Sequence, residues 1–365
     1  MPNDRKLGNV LITGGAGYLG QELLKAAIPM SDSITSIDLN LNLNQNVINY
    51  VLDIRNFSDL DAKFKGINTV FHAVAQVPLA NDRNVLRSVN ITGTKNVLEA
   101  CLKNEVQKVI FISSSAVYGV PISNPVTEKT ERKPFEDYGK AKHEAETLCE
   151  DYMKKGLDIT IIRPRTIIEG SRLGIFSILF SFISQGLNIY VAGSGNNIYQ
   201  FVHIDDLVNA ILKSSKIRGS GQYNIGSADQ SSLRENLEKL CEYANTSSQV
   251  ISIPKFLSVY GMELFRIFRL SPLSPYHSKM YSESLYFDSS LAREKLNWEP
   301  KYSNLDSLKN SYDAFCNMNK EQNSNRSFHQ KTINPGLVLK LIMAFNRLWQ
   351  NYFKPLTYFK FKSKM

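Results

Sequence analysis

The chain has 365 residues, 43% of them hydrophobic, and a formal net charge of +9. That length accommodates about two domains around large cores. Four cysteines without a CxxC pair and five histidines without ligand spacing predict neither structural disulfides nor a metal site. No stretch reaches the roughly 18 apolar residues of a spanning helix, and the polar start of the chain does not read as a secretory leader. Residues 322–365 hold eight Lys/Arg and no Asp/Glu, so the tail carries all but one of the net charges. No recognition motif accompanies that charge, and nucleic acid is not expected as a partner.

The first half alternates strand and helix patterns, which predicts an α/β fold of Rossmann type with a doubly wound parallel sheet. Strands are predicted at Val10–Thr13, Ile34–Ile37, Val47–Leu52, Thr69–Phe71, Lys108–Ser113 and Asp158–Arg163. Helices are predicted at Tyr18–Ile28, Arg83–Lys103 and Tyr138–Lys155. Between the first strand and first helix lies TGGAGYLG, with Gly14, Gly17 and Gly20 at GxxGxxG spacing. Strand, glycine turn and helix in that order make a dinucleotide site. The helix N-terminus offers N–H donors and a partial positive charge to a pyrophosphate.

After Pro164 the pattern loosens. It contains an apolar helix at Ile175–Ile183, a strand at Phe201–Ile204 leading into a helix at Asp205–Lys213, and a helix at Leu233–Tyr243. Pro254–Leu270 is apolar and aromatic, and Leu305–Met318 reads as a last body helix. The polar run Glu321–Ser327 reads as a linker. The domains expected are residues 1–165, with about 199–215 returning to them, a smaller mixed α/β substrate domain at 166–320, and an amphipathic helical tail at 321–365.

Asp38 ends the second strand, about 20 residues after the turn, where a carboxylate accepts hydrogen bonds from ribose hydroxyls and repels a 2′-phosphate. No basic residue follows it from Leu39 to Tyr50, which favours NAD over NADP. Tyr138 and Lys142 stand one helical turn apart on a shared face. A free phenol has a pKa near 10; a neighbouring ammonium favours the phenolate and makes it a better base. Ser113, Ser114 and Ser115 end a strand, where a hydroxyl can hold a reacting oxygen.

These pieces resemble an extended short-chain dehydrogenase/reductase of the NAD-dependent epimerase/dehydratase family. The matching stretches are TGGAGYLG, DIR (53–55), FHAVA (71–75), NITGTKNVLEA (90–100), FISSSAVYG (111–119), YGKAK (138–142), IIRP (161–164) and FVHIDDL (201–207). The resemblance implies a pyrophosphate turn at Gly14, Gly17, Tyr18, Leu19 and Gly20, and a ribose ligand at Asp38. It implies an adenine contact at Asp53 and Ile54, and groove lining at Ala73 and Ala75. Tyr138 matches the catalytic base and Lys142 its partner, which also reaches the nicotinamide ribose. The catalytic hydroxyl falls on Ser114, four residues before Tyr118, with Ser115 as second choice. His72 and His203 are expected to be structural.

Departures from the family narrow the chemistry. Ser115 and Ala116 follow Ser114 where dehydratases and decarboxylases carry an acid. Thr166 stands where nucleotide-sugar enzymes have an Asn, and Tyr199 where they have a diphosphate-binding Arg. Arg165, Arg172 or Arg218 could substitute. The expected function is NAD-dependent epimerisation of a nucleotide-activated sugar. The alternatives are a 3β-hydroxysteroid-dehydrogenase-like oxidation of a lipid-like alcohol and a non-catalytic NAD sensor. In Gly336–Phe353, Leu337, Leu341, Phe345, Leu348, Trp349 and Tyr352 share one face opposite Lys340 and Arg347. This predicts a membrane-surface contact through residues 336–365, with packing on protein as the alternative. A cytoplasmic enzyme, peripheral on the inner face of the membrane and homodimeric, is expected.

Overall fold

The computed structural model describes residues 6–42, 44–77, 82–168, 176–258, 260 and 279–324. The tail reading, Arg172 and the run at 261–270 lie outside them. The chain divides into two compact units. The first takes the chain up to Ile167, Gln200–Asp229 and Leu285–Ser303; the second takes Ile168–Tyr199, Gln230–Ser284 and the chain from Asn304.

The first unit is built on seven strands, numbered here in chain order. They are β1 (Asn9–Thr13), β2 (Ser33–Asp38), β3 (Ile48–Val51), β4 (Thr69–His72), β5 (Lys108–Ile112), β6 (Ile159–Pro164) and β10 (Gly221–Ile225). Their order is β10-β6-β5-β4-β1-β2-β3, and every pairing is parallel. A two-strand ribbon joins β7 (Thr166–Ile167) to β9 (Phe201–Val202). The helices are α1 (Tyr18–Ala27), α2 (Phe57–Asp61), α3 (Arg83–Arg87), α4 (Thr94–Lys103), α5 (Asp137–Lys154), α7 (Ile204–Ser215) and α9 (Ser290–Leu296).

Strands β5 and β6 are buried along their whole length, as a sheet covered on both faces requires. Leu19 and Leu23 of α1, Leu207 and Ile211 of α7, and Trp298 pack in one core cluster. Val97 and Leu98 of α4 pack with Ala145 and Cys149 of α5 in another. Trp298 donates its indole N–H to the Asp206 carbonyl at 2.9 Å, and the Asp206 carboxylate accepts from the backbone N–H groups of Lys301 and Tyr302. The second aspartate of the FVHIDDL run thus clips a late segment onto the sheet.

The second unit pairs β8 (Ile189–Ala192) with β11 (Val250–Ile253) in parallel. It also holds α6 (Phe176–Ser184), α8 (Leu233–Ala244) and α10 (Asn304–Ser324). Phe180 of α6 meets Tyr312 of α10 edge-on at 5.8 Å. No helix among the described residues is long and apolar enough to cross a membrane.

Three expectations are corrected. The predicted helix Arg83–Lys103 is α3 and α4 separated by a π-helical turn at Ser88–Gly93. There Asn90 is buried and its amide bonds both the N–H and the carbonyl of Gln76. The polar run opening at Glu321 starts inside α10, which continues to Ser324. The strand predicted over Phe201–Ile204 stops at Val202, because Ile204 already begins α7.

His72 ends β4, fully buried. Thr94 Oγ donates to the Asn90 carbonyl, so it accepts from His72 Nε2–H at 2.9 Å; Nδ1 then accepts from Thr13 Oγ at 2.6 Å. Both ring nitrogens are used by a neutral imidazole. Burial, with help from the Lys142 charge, pulls the His72 pKa down to about 3. Below the ordinary 6.5 the unfolded chain takes up a proton that the folded chain refuses, so stability falls with falling pH. In chemical denaturation of wild type, each unit below that value should cost up to ~1.4 kcal/mol more than in His72→Asn. Parallel pH curves for the two proteins would refute this.

Candidate active site

The carboxyl ends of parallel strands face one edge, and ligands of such sheets bind where the strand order reverses. Here that place lies between β1 and β4. The glycine turn leaves β1 at this point. Gly14 has φ +79°, and a Cβ on it would lie 2.9 Å from the Val74 nitrogen. A Cβ on Gly20 would lie 2.0 Å from the Gly14 carbonyl oxygen. Only glycine lets α1 come this close to the turn. Gly17 caps α1 without a side-chain hydrogen bond, so the helix N-terminus presents backbone rather than a capping side chain. Leu19 is buried beneath the turn, and Tyr18 packs at the edge of the same core.

Asp38, at the end of β2, turns to this loop: Oδ2 accepts from Ala16 N at 3.1 Å and Oδ1 from Asn40 N at 3.0 Å. Asn42 donates to the Gly15 carbonyl at 3.0 Å. Ala73 leaves β4 with its N–H on the Thr13 carbonyl, and it is half-buried, as is Ala75. Asp53 lies in an exposed ion pair with Arg55, which holds its carboxyl below the ordinary range. Ile54 is buried against Gly93, where a Cβ would come within 2.5 Å of its Cδ1. A backbone cradle with a carboxylate at its rim fits a dinucleotide.

Across the switch point, β5 runs into the three serines. Each has a different partner. Ser113 Oγ donates to Glu146 at 2.5 Å. Ser115 Oγ accepts from Arg165 Nη1 at 2.8 Å. Ser114 is half-buried, and its Oγ accepts from Ala116 N at the start of a 3-10 turn, Ser115–Tyr118. The N-terminus of α5 comes against this turn: a Cβ on Gly139 would lie 2.5 Å from the Ala116 carbonyl oxygen. Glu136 caps α5 by accepting from the N–H groups of Tyr138 and Gly139. Tyr138 is thereby delivered, half-buried, to the serine turn.

Lys142 follows one turn later. It is almost fully buried, donates from Nζ to the Ile112 carbonyl at 2.7 Å, and sits 4.9 Å from the Phe111 ring centroid. Burial pulls its pKa from 10.5 to about 8, opposed by the Glu146 charge. An ammonium this poorly solvated is poised to favour an anion beside it.

Sequence reasoning missed a buried polar network next to these groups. Glu146 accepts from Arg163 Nε and Nη2, both at 2.8 Å, and from Arg132 Nη1 at 2.7 Å. Arg163 also donates to Tyr118 at 2.9 Å, and Tyr118 donates to Asn224 at 2.9 Å. The available signal was spacing: Glu146 continues the four-residue step of Tyr138 and Lys142. His203, read as structural, accepts the Asp205 N–H at 3.2 Å and stacks on Tyr302. Arg218 is corrected as a substitute phosphate ligand. It lines a cavity with Asn68, Lys108 and Asp158 at the amino ends of the strands, away from the serine turn. Arg165, buried at the carboxyl end of β6, is at the right edge.

Sheet order, glycine cradle and the Tyr/Lys helix beside a serine turn define a Rossmann-type NAD-dependent enzyme. The profile of the NAD dependent epimerase/dehydratase family matches residues 10–226, and the chain belongs to that family. It is 40% identical over 316 residues to the uncharacterized protein y4nG of Sinorhizobium fredii, covering 85% of this chain and 79% of that one. It is 29% identical over 273 residues to the UDP-N-acetyl-alpha-D-glucosaminuronate decarboxylase of Bacillus cytotoxicus, covering 68% and 84%. Sterol-4-alpha-carboxylate 3-dehydrogenases are further relatives; that of Homo sapiens is 28% identical over 59% of each chain. In fold it is similar to UDP-glucose 4-epimerase from Thermotoga maritima, solved with UDP-glucose, with TM-score 0.71 and 24% identity over 85% and 99% of the chains.

Because the Gly20 contact is backbone to backbone, Gly20→Ala is expected to weaken NAD binding about ten-fold or more by calorimetry, or roughly 1.4 kcal/mol. Unchanged affinity would show that the turn can yield.

Proposed function

We propose that this protein is an NAD-dependent epimerase acting on a nucleotide-activated sugar. The observation that carries the reading is that the start of α5, which bears Tyr138 and Lys142, packs on the turn that Ser114 caps, with Lys142 bonded to the end of β5 and no carboxylate on Ser115 or Ala116. The UDP-sugar substrate named for the Bacillus cytotoxicus relative supports the substrate class.

NAD, when bound, supplies the hydride acceptor and donor. Gly14, Gly17, Tyr18, Leu19 and Gly20 hold its pyrophosphate, Asp38 its ribose, and Asp53, Ile54, Ala73 and Ala75 line the rest. Tyr138 takes the proton of the reacting hydroxyl and gives it back. Lys142 holds positive charge one turn away, which favours the phenolate. Ser114 donates to the reacting oxygen: Ser113 gives its O–H to Glu146 and Ser115 is buried against Arg165, whereas Ser114 is partly exposed. Ser115 and Ala116 carry no acid to drive elimination, which separates this site from dehydratases. Arg165 is the guanidinium at the correct edge to face an anionic substrate group.

Sterol-type oxidation is the second reading, favoured by the sterol relatives and by Tyr199 in place of a phosphate-binding Arg. The two separate in one assay. Purified protein is incubated with UDP- and GDP-sugars, and separately with sterols plus NAD⁺. Epimerised sugar without net NADH is expected; NADH accumulating only with sterols would overturn the proposal. Tyr138→Phe should cut kcat at least about a hundred-fold while leaving NAD affinity within about two-fold; retained turnover would remove Tyr138 from the mechanism.

The tail sequence supports a membrane-surface contact, since its aromatic face and eight basic residues come without an acid. Full-length protein should sediment with anionic vesicles and protein lacking residues 328–365 should not. Equal sedimentation would reject the contact.

A further inference from the structure

We propose that Glu146 is the positioning residue of this site: it pins the helical face that carries Tyr138 and Lys142 to the strand end that carries Ser114, and sets its charge against the Lys142 ammonium. The inference rests on the roles given above to those three residues.

Tyr138, Lys142 and Glu146 step along α5 at intervals of four, which keeps them on one face. The Glu146 side chain is 0% exposed. Its carboxylate accepts four hydrogen bonds from three different places. Ser113 Oγ, the immediate neighbour of Ser114, donates at 2.5 Å from the end of β5. Arg163 donates two from β6, and Arg132 donates one from the segment leading into α5. Arg163 reaches on to Tyr118, in the serine turn, and to Gln222 of β10 at 2.7 Å. One carboxylate therefore joins every element that delivers a proposed catalytic group.

A stabilising role alone is a poor account of this arrangement. Buried ion pairs seldom stabilise a fold beyond what a packed apolar pair would do. What four directional bonds fix is register: a slide or rotation of α5 strands a buried charge. Burial pulls the Glu146 carboxyl up, but Arg163, Ser113 and Arg132 together outweigh it and hold the group below the ordinary carboxylate range. Glu146 is thus a fixed negative charge one turn from Lys142. Its charge opposes the burial that pulls the Lys142 pKa down.

Other titratable groups surround this face: His143 of α5 has its pKa pulled down by burial and by the Arg132 charge, which the Glu146 charge opposes. His72 on β4 is neutral between Thr13 and Thr94. The Cys149 thiol is buried and pushed up, as is the Cys101 thiol of α4. Glu99 of α4 accepts from Tyr152. Arg83 and Arg87 of α3 pair outward with Asp137 and Glu144.

The test compares wild type, Glu146→Gln and the double variant Glu146→Leu/Arg163→Met. The double variant removes both charges together, so it avoids stranding Arg163 and should melt close to wild type. Lys142 is titrated by NMR in protein made with isotope-labelled lysine, its signal assigned with Lys142→Met; this needs neither substrate nor cofactor. The midpoint, about 8 in wild type, should fall in both variants. With the UDP-sugar that wild type turns over, kcat should fall about ten-fold or more from misplacement alone, with NAD affinity unchanged. A folded double variant with wild-type kcat and an unmoved Lys142 midpoint overturns the inference. So does a double variant that cannot fold, which would make the pair a folding element. Turnover surviving in Tyr138→Phe would instead sink the catalytic reading, while the Lys142 titration still decides what Glu146 does.

Discussion

The structure depends on a carboxylate that water does not reach. Taking a charge out of water costs several kcal/mol unless it is both paired and hydrogen-bonded. Glu146 meets that cost with donors from the end of β5, from β6 and from the lead into α5. Apolar contacts of the same helix, through Ala145 and Cys149, tolerate small slips because dispersion has little direction. The hydrogen bonds do not. The apolar face of α5 thus supplies its adhesion, and Glu146 supplies its register.

Close backbone approaches complete that constraint, and they gather at the same edge of the sheet. Gly20 against Gly14 brings α1 onto the glycine turn, and Gly139 against Ala116 brings α5 onto the serine turn. At both of these backbone approaches a Cβ would stand closer than any real contact allows. Gly93 leaves room for the Ile54 side chain, which packs the π-helical turn on the segment after β3. His72 ties the ends of β1 and β4 to α4 through two threonines. The opposite edge is built differently. There Lys108 pairs with Asp158, and Lys6, Lys216 and Arg218 stand around an open cavity. One edge is held by short backbone distances, the other by side chains and solvent.

The sequence made much of this legible because its signals were local. Strands β1, β5 and β6 are apolar runs between polar residues, and the glycine spacing, Asp38 and the Tyr/Lys step all fall within one βα unit each. What stayed hidden was polar and long-range. Strand β10 reads GQYNI and does not look like sheet, because Gln222 and Asn224 satisfy Arg163 and Tyr118 from distant segments. Glu146 reads as a solvated helix face until Arg163 folds back against it. The break between α3 and α4 leaves no periodic trace, since Asn90 acts on Gln76, a loop residue outside the helix. Asp206 looks like a helix-starting acid, yet it mainly receives the backbone of Lys301 and Tyr302.

The same logic bears on the serine turn. Three consecutive hydroxyls are chemically alike, and their surroundings make them different. Ser113 donates its hydrogen bond to Glu146, and Ser115 is buried against a guanidinium from which it accepts. Ser114 accepts a backbone N–H in its own turn and, unlike its two neighbours, is partly exposed, so its hydroxyl is placed to donate to a bound oxygen. Behind it stand Arg165 and a helix start, both of which favour negative charge on an oxygen held there. No carboxylate follows it, because position 116 is alanine. Such a turn can stabilise an oxygen that gains charge, but it cannot remove a second proton. On the proposed reading all proton traffic then passes through Tyr138. A site with one base and one oxygen holder favours chemistry that runs out and back over the same hydroxyl, as epimerisation does, over chemistry that ends in elimination.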